Sequence, residues 1–267
     1  MSVYADQLSG FSRTIGQCGV RSTIVAQNVY DDPDFFAGYS ALPRSVQGLD
    51  GAPEWPSLQA LLPDLAGREV VDLGCGFGWF SRWAASASAT DVLGIDLSHN
   101  MLARARQETA DPRITYRQQD LDHLELPPAR FDFAYSSLTL HYLADLDRLF
   151  RTVHRSLRPG AGFVFSVEHP ICTAPSNPQF VADASGRMIW PVDGYLREGP
   201  RTTNWLAPGV VKQHRTITSY VSTLLAAGFR LTAVEEWGPS PQQIEEVPEW
   251  HTELERPYFL IVAACRE

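Results

Sequence analysis

A short apolar strand that passes into a glycine-rich turn is the feature of this sequence that most constrains its fold. Residues 70–73 read VVDL, and the turn GCGFG follows at once at positions 74–78. Short apolar runs that end in a turn are typical of strands buried on both faces of a parallel sheet. Glycines at alternate positions let a ligand approach the backbone closely because they carry no Cβ. The sequence therefore predicts a ligand site where the first strand ends.

Strand-like and helix-like segments then alternate along the chain. Apolar runs predict strands, and apolar stripes with a period near 3.6 predict helices, one of which has Ser98 as its N-cap. The predicted strands are 91–96, 114–117, 131–136, 162–167, 230–237 and 258–264, and the predicted helices include 80–87, 146–157 and 217–225. This alternation predicts an α/β protein with a doubly wound, mostly parallel sheet.

Two segments interrupt the pattern and divide the chain. Residues 1–55 mix aromatic and acidic residues with Gly and Pro, which predicts an N-terminal leader or cap. Residues 171–212 are rich in Trp, Tyr and Pro and show no regular alternation, and long loops in compact domains are usually functional. We interpret this insert as a lid over a flat or apolar substrate, or as a lid on the sheet edge without substrate contact. The α/β domain would comprise residues 56–170 and 213–267.

Composition limits the partners. Lys and Arg number 22 against 31 Asp and Glu, for a net charge of −9, which disfavours binding to nucleic acid. The four cysteines are scattered, so neither a zinc site nor a disulfide framework is indicated, and we expect no metal. The N-terminus lacks a signal-like apolar segment, and no apolar run approaches the ~18 residues that a membrane helix needs. We expect a cytoplasmic protein without a membrane partner.

Aspartates stand at the ends of three successive predicted strands. Asp72 precedes the glycines, where it would favour a ligand ammonium over a pyrophosphate. Asp96 ends the second strand, where a carboxylate can accept hydrogen bonds from both hydroxyls of a ribose. Asp120, with Leu121, could bind the exocyclic amine and the face of a base. Any one of them alone could be a turn or cap residue, but the three together beside a glycine turn indicate a nucleoside site.

The same residues resemble the cofactor motif of class I S-adenosylmethionine-dependent methyltransferases, closest to the bacterial small-molecule group of the type 11 methyltransferase family. The family pattern, an acidic residue followed by x-G-x-G-x-G, is met by residues 72–78, and residues 131–137 and 157–162 resemble its fourth-strand motif and the turn before its fifth strand. The resemblance implies a Rossmann-like, seven-stranded sheet with an antiparallel last strand. It also implies that the turn binds the methionine part, Asp96 the ribose, and Asp120 with Leu121 the adenine.

A cofactor site follows from this resemblance. We expect S-adenosyl-L-methionine to bind and S-adenosyl-L-homocysteine to leave as the product. The predicted cofactor-binding residues lie in the leader, the glycine turn and the strand ends: Tyr30, Asp72, Gly74, Cys75, Gly76, Gly78, Asp96, Leu97, Met101, Asp120, Leu121 and Ser136.

Catalytic candidates follow the fourth and fifth predicted strands. Methyl transfer is an in-line displacement that depends largely on positioning, with a base where the nucleophile carries a proton. His141, Glu168 and His169 are the candidates for that base. Two other interpretations stay open: His141 could be a half-buried structural histidine, and His169 could belong to a turn with Glu168 as its orienting partner.

Several functions are compatible with these residues. The leading hypothesis is methyl transfer to an oxygen or nitrogen of a small-molecule metabolite. The alternatives are a non-catalytic S-adenosylmethionine-binding module and a methyltransferase that acts on a protein. A nicotinamide-dependent oxidoreductase is disfavoured by Asp72 and by Trp79, which stands where the dinucleotide fingerprint has its third glycine. Methylation of a nucleobase is disfavoured because SSLT, at residues 136–139, replaces the signature of those enzymes.

Overall fold

The computed structural model describes residues 27–267, so the predicted leader is described only from residue 27 onward. Strands and helices alternate as the sequence predicts. The strands are β1 Glu69–Leu73, β2 Asp91–Asp96, β3 Ile114–Gln118, β4 Phe131–Ser137, β5 Leu157–Glu168, β6 Val181–Ala182, β7 Met188–Ile189, β8 Gly199–Trp205, β9 Ala207–His214, β10 Phe229–Trp237 and β11 Phe259–Arg266. The α-helices are α1 Pro33–Ser40, α2 Pro43–Val46, α3 Trp55–Ala60, α4 Trp79–Ser86, α5 His99–Gln107, α6 Leu146–Ser156, α7 Pro170–Thr173, α8 Ile217–Ala226 and α9 Pro241–Glu246.

Seven strands within residues 27–267 form one sheet in the order β10-β11-β5-β4-β1-β2-β3. The pairs from β5 to β3 are parallel, and β11 runs antiparallel to both β5 and β10. This is the Rossmann-like sheet with an antiparallel last strand that the sequence predicts. The strand order reverses between β1 and β4, and in open α/β sheets ligands bind outside the carboxyl ends of the strands at such a point.

Helices cover both faces of the sheet. On one face, α6 buries the predicted stripe, with Leu149, Phe150 and Val153 fully buried against the strands. On the other face, Phe80 and Ala84 of α4 pack against the sheet together with α3. Full burial of one large apolar side chain is worth about 1.5–3 kcal/mol, so these stripes fix how each helix lies on the sheet.

The leader is attached to the domain at the start of α5. Ser98 caps this helix, because its Oγ accepts the backbone N–H of Met101 at 3.1 Å. The same Oγ donates to Oδ1 of Asp31 at 2.5 Å, and the backbone N–H of Asn100 donates to that oxygen at 3.0 Å. A leader carboxylate thus lies at a helix N-terminus, where the helix dipole favours negative charge.

The insert differs from the irregular segment that the sequence predicts. It contains the short pair β6 and β7 and a longer hairpin of β8 and β9. The side chains of Val210, Lys212 and His214 are buried at alternate positions of β9. Val210 packs against Val29 and Phe35 of the leader. The inner face of the hairpin is therefore buried against the leader. Because the leader shows no clear periodicity, nothing in the sequence indicated that a hairpin would pack on it.

None of the helices in residues 27–267 is both long enough and apolar enough to cross a membrane.

Candidate active site

A cavity of about 1300 Å³ lies at the carboxyl ends of β1, β2, β4 and β5. Its walls come from the glycine turn, the leader, the β8–β9 hairpin and the segment 237–259. Small-ligand pockets commonly measure about 300–1,000 Å³, so this central cavity has room for a cofactor and a second ligand together.

The glycine turn forms one wall of the central cavity. Gly74 and Gly76 line it with φ angles of +76° and +52°, and Gly78 begins α4 at +75°. A Cβ on Gly74 would lie 2.1 Å from Oγ1 of Thr139, and one on Gly78 would lie 2.1 Å from the hydroxyl of Tyr116. The turn therefore requires glycine for its backbone conformation and for close packing.

Asp96 lies beside this turn and lines the cavity. Its Oδ2 accepts the backbone N–H of Gly76 at 2.9 Å, and its Oδ1 accepts that of Ser98 at 2.8 Å. Burial raises the pKa of Asp96, although these backbone hydrogen bonds oppose the effect. Each carboxylate oxygen can accept more than one hydrogen bond, so the anchored group can also bind ligand hydroxyls.

The adjacent part of the cavity combines apolar side chains with a second carboxylate. Leu97, Met101 and Leu121 line it together with Asp120. Met101 and Leu121 are almost fully buried, which indicates packed walls. Apolar walls with one hydrogen-bonding carboxylate suit a flat base with an exocyclic amine, and Asp96 is placed for the neighbouring ribose. These residues fit the adenosine part of S-adenosylmethionine.

Asp72 lies beneath the turn rather than among the residues that line the cavity. It is 2% exposed, and its Oδ2 accepts a hydrogen bond from Oγ of Ser81 at 2.7 Å. Burial raises the pKa of Asp72 to about 7, and the nearby charge of Asp96 adds to this effect. The structure shows the Asp72 carboxylate in a supporting position under the backbone that lines the cavity.

Three other predicted cofactor residues are also absent from the cavity lining. Cys75 is buried toward Gly94, and Gly78 forms the N-cap of α4. Ser136 is fully buried, and its Oγ donates to the carbonyl oxygen of Leu73 at 2.7 Å. Ser137 lines the cavity instead, because successive side chains of a strand point to opposite sides. The side chain that reaches the cavity at this strand end is thus one residue beyond the one named from the sequence.

Two of the catalytic candidates meet at the cavity. His141 and Glu168 both line it, and the backbone N–H of Glu168 donates to Nδ1 of His141 at 3.3 Å. Burial lowers the pKa of His141 to about 4. The Glu168 carboxylate forms an ion pair with Lys212. Burial acts to raise the pKa of Glu168, but the positive charge of Lys212, its hydrogen bond and the nearby cationic groups together outweigh burial, so the pKa is lowered.

The third candidate, His169, does not line the cavity. Its Nε2 lies 2.9 Å from Oε1 of Glu236, and its Nδ1 accepts the backbone N–H of Ile171 at 3.0 Å, which caps α7. This placement agrees with the alternative interpretation of His169 as part of a turn, and His141 is the histidine that lines the cavity. Glu168 and His169 are consecutive, and their side chains leave the strand in opposite directions.

An aromatic wall faces the catalytic candidates, and most of it was missed by the sequence analysis. It consists of Tyr30, Tyr39, Tyr142 and Trp205, which come from the leader, the 3-10 helix Leu140–Tyr142 and the hairpin. The hydroxyls of Tyr30 and Tyr142 are 3.4 Å apart. The segment 237–259 adds Trp237, Trp250 and Tyr258. The sequence predicts Tyr30 and the aromatic insert at the ligand, whereas no sequence signal indicates Tyr142 or the aromatic residues of segment 237–259.

Arg44, which lines the central cavity, forms an ion pair with a carboxylate buried behind the cavity wall. Nη2 of Arg44 lies 2.9 Å from both carboxylate oxygens of Glu54, which is fully buried. In the described part of the chain, no group of three or more His, Cys, Asp or Glu residues is placed to bind a metal ion.

Known proteins that are similar to this chain include S-adenosylmethionine-dependent methyltransferases. A model of the methyltransferase domain family matches residues 71–165. A crystal structure of an S-adenosylmethionine-dependent methyltransferase from Mesorhizobium loti is 57% identical and superimposes with a TM-score of 0.80, covering 82% of this chain and all of that one. A structure from Listeria monocytogenes, described as the same kind of enzyme, is 40% identical with a TM-score of 0.74, covering 81% and 99% of the two chains.

A relative whose name states its reaction matches a smaller part of this chain than the two structures do. The malonyl-[acyl-carrier protein] O-methyltransferase of Pectobacterium atrosepticum is 38% identical over 109 residues, which are 41% of this chain and 42% of that enzyme. The chain therefore spans less than half the length of this relative.

Proposed function

Since this chain belongs to the type 11 family of class I S-adenosylmethionine-dependent methyltransferases, we propose that it methylates an oxygen or nitrogen atom of a small molecule. The cofactor is S-adenosyl-L-methionine and its product is S-adenosyl-L-homocysteine. The observation that carries the proposal is the central cavity, because its volume of about 1300 Å³ exceeds what one ligand usually occupies.

In this proposal the cofactor lies against the glycine turn. Asp96 accepts hydrogen bonds from the ribose hydroxyls, and Asp120 with Leu121 binds the adenine. Gly74 and Gly76 let the backbone approach the methionine part, above the buried charge of Asp72. When bound, S-adenosylmethionine supplies a methyl group on a positively charged sulfur. The protein then contributes by positioning the acceptor atom in line with that methyl group and by excluding water.

The surroundings of the cavity support a small acceptor. The aromatic wall offers flat apolar surface with hydroxyl groups at its edge, which is the usual composition of small-molecule sites. The described part of the leader, residues 27–55, and Trp205 and Val211 of the insert line this side, and we propose that the leader and the insert determine which acceptor is taken. The net charge of −9 supports an acceptor other than nucleic acid. The O-methyltransferase relative supports oxygen as one possible acceptor atom.

Calorimetry with S-adenosylhomocysteine tests the cofactor site. Asp96→Asn keeps the shape of the side chain but removes its charge and one accepting oxygen. We expect it to weaken binding by about 10- to 100-fold, since a hydrogen bond to a charged group is worth about 1.5–3 kcal/mol. Asp111→Asn is the matched control, because Asp111 is paired with Arg113 and does not line the cavity. Unchanged binding in Asp96→Asn would contradict the site assignment.

A methyl-transfer assay tests the acceptor class. The protein is incubated with radiolabelled S-adenosylmethionine and with separate pools of small metabolites, denatured and native proteins, and nucleic acids. We expect label to enter the small-metabolite pool. Label confined to the protein pool would support the protein-methyltransferase alternative, and cofactor binding without transfer to any pool would support a non-catalytic binding module.

A further inference from the structure

The hydrogen bond at His141 determines what this residue can do. Its Nδ1 accepts the backbone N–H of Glu168 at 3.3 Å. A neutral imidazole has one accepting and one donating nitrogen, so the proton lies on Nε2. The side chain is 2% exposed, and burial lowers its pKa to about 4, which keeps it neutral at physiological pH. His141 therefore offers the cavity a hydrogen-bond donor, because its accepting nitrogen is already used by the backbone.

Glu168 offers the complementary group. Its Oε1 is paired with Nζ of Lys212, which leaves Oε2 to accept a further hydrogen bond, and Glu168 is one of the residues that line the cavity. Lys212 is 5% exposed and lies 4.8 Å from the ring centre of Trp205. Breaking a buried ion pair leaves an uncompensated charge at high cost, and the charge of Lys212 favours the ionised form of Glu168.

The other groups around Glu168 have smaller effects. Besides Lys212, the positive charge of Arg256 favours its ionised form against burial. Tyr142, Tyr258 and Cys172 also face Glu168, whose negative charge contributes to raising their own pKa values. These three remain protonated near neutral pH. Lys212, from the hairpin of the insert, is thus the cation that directly contacts Glu168.

We propose that His141 and Glu168 together recognise an acceptor with a donating N–H or O–H group beside a carbonyl oxygen, and that Lys212 is a positioning residue for Glu168. This inference rests on the proposed methyl transfer to a small molecule. His141 donates from Nε2 to the carbonyl oxygen, and Oε2 of Glu168 accepts from the N–H or O–H. An anionic group at the same place would be repelled by the Glu168 carboxylate, so the recognised group is neutral.

The proton balance of the reaction is consistent with these roles. A lone pair of the acceptor atom forms the bond to the methyl carbon, the carbon–sulfur bond breaks, and its electron pair stays on sulfur. The acceptor proton becomes acidic as the new bond forms and passes to Oε2 of Glu168, which releases it to water. The sum is methylated acceptor, S-adenosylhomocysteine and one proton.

Fragment binding to the protein saturated with S-adenosylhomocysteine tests the recognition. Benzamide carries an N–H beside a carbonyl, whereas acetophenone has a similar shape and lacks the N–H. We expect benzamide to bind about tenfold more tightly, and we expect the double variant Lys212→Met/Glu168→Gln to remove most of that preference, whereas His141→Phe should weaken both fragments by a similar factor because both carry the carbonyl oxygen. The double variant leaves no buried unpaired charge, which protects the fold. Arg201→Met is the control, since Arg201 is a cation of the same hairpin outside the central cavity.

A pH series tests the role of Lys212. In Lys212→Met, burial acts on Glu168 without its main opposing charge, so its pKa rises. Benzamide binding should then weaken as pH falls through the neutral range, whereas wild type should change little above about pH 5.5. Lys212→Arg should restore the wild-type profile because it keeps the charge. A merely structural role for Lys212 would lower stability without moving the pH profile.

Nitrogen-15 spectra of the histidine rings provide the second measurement. We expect the His141 ring to carry its proton on Nε2 and not on Nδ1. A proton on Nδ1, equal binding of benzamide and acetophenone, or a flat pH profile in Lys212→Met would each overturn the inference while leaving the proposed function intact. Failure of wild type to bind S-adenosylhomocysteine would instead overturn the proposed function.

Discussion

At the scale of single residues, the buried carboxylate of Asp72 lowers the stability of the fold when it is ionised. Its carboxylate is buried and accepts a hydrogen bond from Ser81, yet burial still raises its pKa to about 7. A carboxylic acid whose folded pKa lies above its unfolded value favours folding when protonated. That contribution is complete below the unfolded pKa of about 3.8 and is lost as pH rises through about 7. Above neutral pH the ionised group therefore opposes folding.

Replacing this residue should raise stability in alkaline solution. Asp72→Asn keeps the hydrogen bond to Ser81 and removes the buried charge, so we expect the free energy of unfolding to increase by about 2–4 kcal/mol near pH 8 and to change little near pH 4. Denaturant titrations at the two pH values measure the difference. Asp111→Asn should show no such gain, because Asp111 is an exposed partner of Arg113. A loss of stability near pH 8 would mean that the Asp72 charge is compensated in the free protein.

The residue scale also shows what sequence alone can predict. Asp96 and Asp120 line the cavity as predicted, because strand ends and a glycine turn are visible in the pattern. Ser136 and His169 were expected there but point elsewhere. A strand end located to within one residue does not determine the side of the sheet, since neighbouring side chains alternate. In both cases the end of the strand was located correctly, but the side chain lies on the side that faces away from the cavity.

At the scale of elements, the carboxylate of Asp31 attaches the leader to the start of α5. Asp31 accepts hydrogen bonds from Oγ of Ser98 and from the backbone N–H groups of His99 and Asn100. Burial acts to raise the pKa of Asp31, but these hydrogen bonds outweigh it and lower the pKa. The adjacent Tyr30 lines the cavity, so this attachment couples the leader to the start of α5 beside Asp96.

Removing that attachment should speed the release of the cofactor product. In Asp31→Ala the leader loses the hydrogen bonds that Asp31 makes at the start of α5, and we expect S-adenosylhomocysteine to dissociate about tenfold faster, with a smaller change in its association rate. Stopped-flow fluorescence measures both rates. Asp34→Ala changes an exposed carboxylate in the same segment and should leave them unchanged. Equal dissociation rates in wild type and Asp31→Ala would show that the leader does not retain the ligand.

The insert was the element least predictable from sequence. Within the hairpin, buried and exposed residues alternate as in any half-buried strand. The residues 207–209 at its turn read APG, which interrupts this alternation in the sequence. The inner face of the hairpin packs on the leader. Part of the insert is held from the other side by Arg256, whose guanidinium lies 4.3 Å from the ring centre of Trp190 and 5.3 Å from that of Phe180. Contacts between segments that are distant in the sequence leave no periodic pattern in either segment. They become visible only in the folded structure.

At the scale of the whole molecule, negative charge surrounds the central cavity. The chain carries a net charge of −9. Carboxylates that line the cavity come from the sheet, the leader and the segment 237–259: Asp50, Asp96, Asp120, Asp122, Glu168 and Glu246. Clefts lined by one sign of charge raise the association rates of oppositely charged ligands. S-adenosylmethionine carries one more positive charge than S-adenosylhomocysteine, at its sulfur, so the protein's field favours entry of the cofactor over its product.

This difference predicts a salt-dependent advantage for the cofactor. We expect S-adenosylmethionine to associate several-fold faster than S-adenosylhomocysteine at ~0.01 M salt, and the two rates to converge at ~1 M, where the screening length falls to about 3 Å. Stopped-flow measurements over a salt series give both rates. Glu246→Gln at the cavity should reduce the advantage, whereas Glu255→Gln, on an exposed residue away from the cavity, should not. A ratio of rates that is independent of salt would show that contacts inside the site, rather than the field of the whole molecule, distinguish cofactor from product.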